Sequence, residues 1–197
     1  METIEAINLN KLRDEAYQNA VEHGWHDEDL STEHFLCLVI SELMEAVQAE
    51  RKGKHADRIQ FENYMSLRER ADEEFKYAFT HGIKDSVEDE LADVCIRIFD
   101  LAGLRGVDFS KVSLPYAINE KHIKELSKIT FTELCYDVIV LTGRYSSSNF
   151  PIDVLLADIL NDMYCISKIK GFDLLWHIEQ KMKYNRTRPR MHGNNKF

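Results

Sequence analysis

Apolar residues recur every three to four positions along almost the whole chain, and little interrupts that rhythm. Three prolines and eight glycines in 197 residues provide few breaks. Runs of alternating β-branched residues, which would mark strands, are absent. The expected fold is therefore all-α, with antiparallel helices joined by short loops into a bundle. Ile4, Ile7, Leu12 and Ala16 start a first helix that ends near Gly24. Ser31-Thr32-Glu33-His34 offers an N-cap before a long helix from Phe35 to about Arg51, which Gly53 breaks. The charged segment from Ala56 to about Thr80 keeps helical spacing through Phe61, Met65 and Tyr77, until Gly82. Further helices are predicted from about Asp85 to Leu104, from beyond Pro115 to about Lys128, from Thr130 to Gly143, from Pro151 to Lys170 and from Asp173 to Tyr184.

At 44% hydrophobic and 30% charged residues, the chain can bury a core and fits one domain or two merged ones. No apolar run approaches the roughly 18 residues of a membrane span. The amphipathic, charged N-terminus lacks the apolar stretch of a signal peptide. Cys37, Cys95, Cys135 and Cys165 lie in apolar runs without paired spacing, so they read as reduced core residues of a cytoplasmic protein. A net charge of −9 argues against bulk nucleic-acid binding, but the charge is uneven. From Lys181 to Phe197 there are six Lys or Arg and no acid, while the rest of the chain carries 19 basic against 34 acidic residues. That basic tail is either a solvated end or a direct contact for anionic groups.

The sequence also hints at an internal repeat. A shift of 65 residues lays Glu90-Leu91-Ala92-Asp93-Val94 on Leu155-Leu156-Ala157-Asp158-Ile159, and Arg105-Gly106-Val107-Asp108 on Lys170-Gly171-Phe172-Asp173. A shift of 98 lays Leu36-Cys37 on Leu134-Cys135 and Leu43 on Leu141. The difference of 33 is an insertion in the first half. Residues 1–197 then form a single all-α domain. Its first copy is about 31–128 with an insertion at about 53–86, its degenerate second copy about 130–188, and its basic tail 181–197.

Two carboxylate pairs stand out. Glu42 and Glu45 lie three apart on one helix face, and Glu90 and Asp93 lie three apart on another helix. Each pair sits in an otherwise apolar run, where unpaired charge is costly. Oxygen donors from two helices suit hard divalent cations, with Mg²⁺ favoured and Mn²⁺ the alternative. The plainer reading has these acids at a solvated edge, with Arg97 pairing Asp93 four residues away.

This arrangement, ExxE on one helix followed by ExxD on a later one, resembles the MazG-like all-α nucleoside triphosphate pyrophosphohydrolases. The flanking residues of both pairs strengthen the likeness, and Lys181, Asn185 and Arg188 match the family's KxxxNxxR element. The gap of 44 residues between Glu45 and Glu90 is longer than usual, and the 33-residue insertion accounts for it. The resemblance implies a Mg²⁺-dependent nucleotide pyrophosphohydrolase of housekeeping type, converting a (d)NTP and water to the monophosphate and pyrophosphate. Glu42, Glu45, Glu90 and Asp93 would hold the ions and serve catalysis, with Lys181, Asn185 and Arg188 on the phosphates. One of the glutamates would take the water's proton.

Of these acids only Asp93 keeps an acidic counterpart in the second copy, Asp158, so one composite site per chain is expected. Softer candidates for substrate contact are His34, Trp25 and Lys84; packing is the stronger reading of Trp25, capping or solvation that of Lys84, and Asp100 would extend the acidic stripe. A nucleoside triphosphate is the expected partner, with no membrane and no bulk nucleic acid; a homodimer stays open. Other readings are a carboxylate-bridged iron bundle, which wants Glu-x-x-His and finds none, an HD-type phosphohydrolase resting on His26-Asp27 alone, and a non-catalytic helical interaction module with a decayed site.

Overall fold

The computed structural model describes residues 8–66, 71–112, 120–145 and 150–191. Among them it is helical throughout, without a β-strand. The helices are α1 (Leu9–Glu22), α2 (Thr32–Arg51), α3 (Arg58–Met65), α4 (Ala71–Gly82), α5 (Val87–Arg105), α6 (Glu120–Leu126), α7 (Phe131–Gly143), α8 (Ile152–Lys170) and α9 (Leu174–Arg186).

Local chemistry explains the boundaries. Asn8, Ser31, Asp57, Ser86, Thr130 and Asp173 each cap a helix by accepting from a free backbone N–H. At Thr130 the cap is reciprocal, because Glu133 reaches back to the Thr130 amide. α5 and α8 both stop at a left-handed glycine, Gly106 and Gly171. In both places the aspartate two residues later caps the next helical element: Asp108 a short 3₁₀ turn (Phe109–Lys111), Asp173 helix α9. The repeated tetrapeptide thus builds the same local structure twice.

α5 is the central post. It packs against α2 and α1 most extensively, then α9 and α8, and its apolar residues are buried on nearly every side. Gly103 lets α1 come close: a Cβ there would fall 2.4 Å from Cβ of Tyr17. Val39, Leu43, Leu91, Ile98, Leu155, Ile159 and Met163 are among the residues that fill the main core.

The charged stretch from Ala56 to Thr80 holds two helices, α3 and α4. They form a smaller cluster of Phe61, Phe75, Ala78, Phe79 and Ile83. This cluster meets α9, where Tyr184 stacks on Phe79 at 4.5 Å and Trp176 meets Phe61 edge-on at 5.5 Å. α3 and α4 therefore buttress the helix that carries Lys181.

Two expectations need correction. Cys37 is exposed, because it lies off the inward stripe formed by Phe35, Leu36 and Val39; the other three cysteines are buried. The basic segment does not begin as a tail either. Lys181 to Arg186 are the last turns of α9, with Lys181, Met182 and Asn185 buried. Ile4, Ile7 and Pro115 lie outside the described residues.

Candidate functional site

The fold gathers the sequence candidates into one cleft of about 380 Å³. α2 contributes Glu42 and Glu45; α5 contributes Glu90, Asp93, Arg97 and Asp100. Lys84 and Asp85 come from the α4–α5 connection, and Lys181, Tyr184 and Asn185 from α9. Arg188, just beyond α9, also lines the cleft, as do Trp25 and the α1 residue Asn19. His34 is not among the lining residues; its ring packs edge-on against Phe35.

Ligand oxygens of Glu42, Glu45 and Glu90 lie within 4.8 Å of one another. A second trio with the same closeness, Asp85, Asp89 and Glu90, shares Glu90 with the first. Asp93, expected as the fourth ligand, lines the cleft but belongs to neither trio; its Oδ2 lies 2.6 Å from Nζ of Lys181. The same ammonium donates to Asp89 Oδ2 at 2.8 Å. Asp85 has a left-handed backbone (φ 58°), and its amide donates to that Asp89 oxygen at 2.9 Å. Lys181 is thus a buried cation clamped between two carboxylates.

Arg97 does not pair with Asp93. It crosses to α2 and donates through Nε to Glu42 Oε1 at 3.0 Å. His26 Nε2 lies 2.6 Å from Asp100 Oδ1, with both side chains nearly fully buried. Four cations, Lys84, Arg97, Lys181 and Arg188, line the cleft with six acids, Glu42, Glu45, Asp85, Glu90, Asp93 and Asp100, so the surplus is negative.

That imbalance sets the ionisation of the site. Burial pushes the Glu90 carboxyl up to about 8, with Asp93 adding and Lys181 opposing. Burial likewise takes Glu42 to about 7, with Asp93 adding and Arg97 opposing. Asp89 rises to about 6, chiefly through burial, despite the Lys181 charge. Burial works against the Lys181 ammonium too, but Asp93 and Asp89 outweigh it and hold it above the usual lysine value. The two raised glutamates grip protons more tightly in the folded chain than in the unfolded one, where they ionise near 4.5. Folding then takes up protons between about pH 4.5 and 8, so stability falls as pH rises through that window.

The metal-free protein should accordingly lose roughly 5 °C or more of melting temperature between pH 6 and 8.5. Saturating Mg²⁺ should remove most of that loss, because the ion supplies the missing positive charge. Calorimetric melts at matched ionic strength read both effects. A melting point that climbs over this range would contradict the electrostatics.

Several site residues carry little signal in the sequence. Asp89 is buried, whereas in the string Glu88-Asp89-Glu90 it looks like any surface acid; its one signal is its place four residues before Asp93. Asn19 carries a buried Oδ1 without a hydrogen-bond partner among the described residues, and nothing in the α1 pattern points to it. Asn185 Oδ1 is in the same state.

The fold and cleft together define an all-α bundle with a carboxylate-rich, cation-flanked cavity at the meeting of α2, α5 and α9. Neither family models, nor curated proteins, nor solved structures give a match to this chain. Among the described residues no helix is long and apolar enough to cross a membrane.

Proposed function

We propose that the chain is a Mg²⁺-dependent nucleoside triphosphate pyrophosphohydrolase, as its MazG-like resemblance implies. The observation that carries this reading is the convergence of Glu42, Glu45 and Glu90 within 4.8 Å, in a cleft that also holds Lys84 and Arg188. All the converging donors are carboxylate oxygens, the set that hard divalent cations prefer, and their mutual repulsion favours an added positive charge. Mg²⁺ fits this set, and Mn²⁺ is the alternative. A divalent ion bound there would neutralise phosphate charge and make water a stronger nucleophile.

This chain's own residues do the rest. Glu42, Glu45 and Glu90 hold the ion, and one of them takes the proton of the attacking water. Asp93 and Asp89 fix Lys181, so its charge stands at a set place on the cleft wall instead of swinging freely onto phosphate. Arg188 is the residue suited to a forked grip on phosphate, and Lys84 to a point contact. Asn185 Oδ1 needs a donor or a cation, which suits a sugar hydroxyl or the ion; its amide nitrogen is the part that can meet phosphate. Trp25 offers a face for the base.

The second half, α7 with α8, supports the reading of a tandem duplication with a single composite site. It repeats the glycine-stop and aspartate-cap device, but its helices carry Val140, Gly143 and Leu155 where Glu42, Glu45 and Glu90 stand. Cytoplasmic nucleotide-pool housekeeping is the setting this activity would suit.

Incubating the protein with each common (d)NTP and Mg²⁺, then separating the products, tests the reaction. Monophosphate and pyrophosphate in equal amounts are expected. Diphosphate plus orthophosphate, or no turnover of any triphosphate, would overturn it.

A further inference from the structure

His23 sits where α1 ends, outside the cleft lining, and the proposed reaction leaves it without a part. It is 8% exposed, and both of its ring nitrogens meet backbone carbonyls. Nδ1 lies 2.7 Å from the oxygen of Asn19, one turn back on α1. Nε2 lies 3.0 Å from the oxygen of Arg188, 165 residues along the chain. Carbonyl oxygens only accept, so each contact needs an N–H on its own nitrogen, and a ring carrying both protons holds both.

Other contacts run alongside. The Met191 amide donates to the His23 carbonyl at 3.0 Å, and Arg190 pairs with Asp27. The approach is close: a Cβ on Gly24 would fall 2.8 Å from Nη2 of Arg190. Residues 188–191 therefore lie as a strap across the turn that follows α1, and the His23 ring ties down its Arg188 end.

The two arginines of the strap do different things. Arg190 spends its guanidinium on Asp27. Arg188 lines the carboxylate cleft, and among the described residues no carboxylate pairs with it. Arg188 also lies two residues past the end of α9, held from that side by its amide's bond to the Asn185 oxygen at 3.1 Å. A long side chain on a loosely held backbone loses contact energy to ordering. A buried ring joining its carbonyl to α1 removes that freedom in advance.

We infer that His23 is the positioning residue for Arg188: its ring bridges the Arg188 and Asn19 carbonyls and so fixes the root of the guanidinium at the cleft. This rests on the reading of the cleft as a triphosphate site, where Arg188 meets phosphate. His23 itself acts only through Arg188.

Steady-state kinetics with Mg²⁺ and the triphosphate turned over best test this, using variants that each copy half of the ring. A glutamine amide nitrogen falls about where Nε2 stands, and an asparagine amide nitrogen about where Nδ1 stands. His23→Gln should keep KM within about twofold of wild type, because it still donates to Arg188. His23→Asn should raise KM about fivefold or more with kcat little changed, since the lost grip is on bound phosphate. Added to Arg188→Ala, His23→Asn should raise KM no further, because the two residues act as one unit. Amide hydrogen exchange, which needs no substrate, should be faster at Met191 in His23→Asn and unchanged in His23→Gln. Equal KM in the two His23 variants, additive losses on top of Arg188→Ala, or unaltered Met191 exchange in His23→Asn would overturn the inference. If the wild type turns over no triphosphate while the exchange contrast stands, the reading of the cleft fails, and the part of His23 in that reaction falls with it.

Discussion

Glu42→Gln and Glu90→Gln should each lower kcat/KM for a nucleoside triphosphate by on the order of 10³-fold, about 4 kcal/mol of transition-state stabilisation. Each substitution is nearly isosteric and removes one anionic oxygen donor from a trio that lies within 4.8 Å. The ion would then be held by two charged ligands and sit out of place for the phosphate. Folding should not suffer. Both carboxyls are raised by burial and by Asp93, so deleting either charge relieves repulsion in the metal-free protein. Glu90→Gln should therefore melt higher than the wild type above pH 8 without metal and gain less from Mg²⁺. Near wild-type turnover by either variant at saturating Mg²⁺ would remove that residue from the site.

Lys181→Met should produce the largest loss of stability, about 3–5 kcal/mol, or roughly 10 °C in a chain of this size. The methionine fills nearly the same space, so packing changes little. What changes is charge: Asp89 and Asp93 lose an ammonium at 2.8 Å and 2.6 Å, and Asp89 is 1% exposed. Removing one partner from a buried cluster leaves the others uncompensated. Asp89→Asn added to Lys181→Met should restore part of the stability, since one stranded charge goes with it. Thermal melts of the single and double variants at pH 7.5 decide this. If Lys181→Met melts within about 1–2 °C of wild type, the clamp is not holding α9 to α5.

The parts of this molecule legible in its sequence are those set by local physics. Caps at Ser31, Thr130 and Asp173 sit immediately before helices, because a side-chain oxygen there satisfies a free amide. The Glu42/Glu45 and Glu90/Asp93 pairs stand out because charge inside an apolar helical run needs a reason. Their convergence comes from the packing of α2 on α5. Partner choice over long separations is what escapes. Arg97 has Asp93 one turn away, yet it crosses to Glu42, 55 residues distant in the chain. Nor does the sequence show that Lys181 pairs with Asp89, 92 residues away, and with Asp93.

Two other features are hidden by composition. Six basic residues near the C-terminus read as a tail, solvated or in contact with anionic groups, which masks the inward positions Met182 and Asn185 and the stacking of Tyr184 on Phe79. The charged Ala56–Thr80 stretch keeps helical spacing but gives no sign of where it divides into α3 and α4. Cys37 sits among apolar neighbours, and only the angular position on α2 leaves it outside. In each case the missing information is which face a neighbouring element covers, and a periodic pattern of moderate hydrophobicity does not encode that.

The central claim is that this cleft directs water at the α-phosphorus of a nucleoside triphosphate. Hydrolysis in H₂¹⁸O with Mg²⁺, followed by mass spectrometry of the products, measures it most directly. The account predicts one ¹⁸O in the nucleoside monophosphate and none in the pyrophosphate. Label in the pyrophosphate, or in released orthophosphate, would place the attack on a different phosphorus and contradict it.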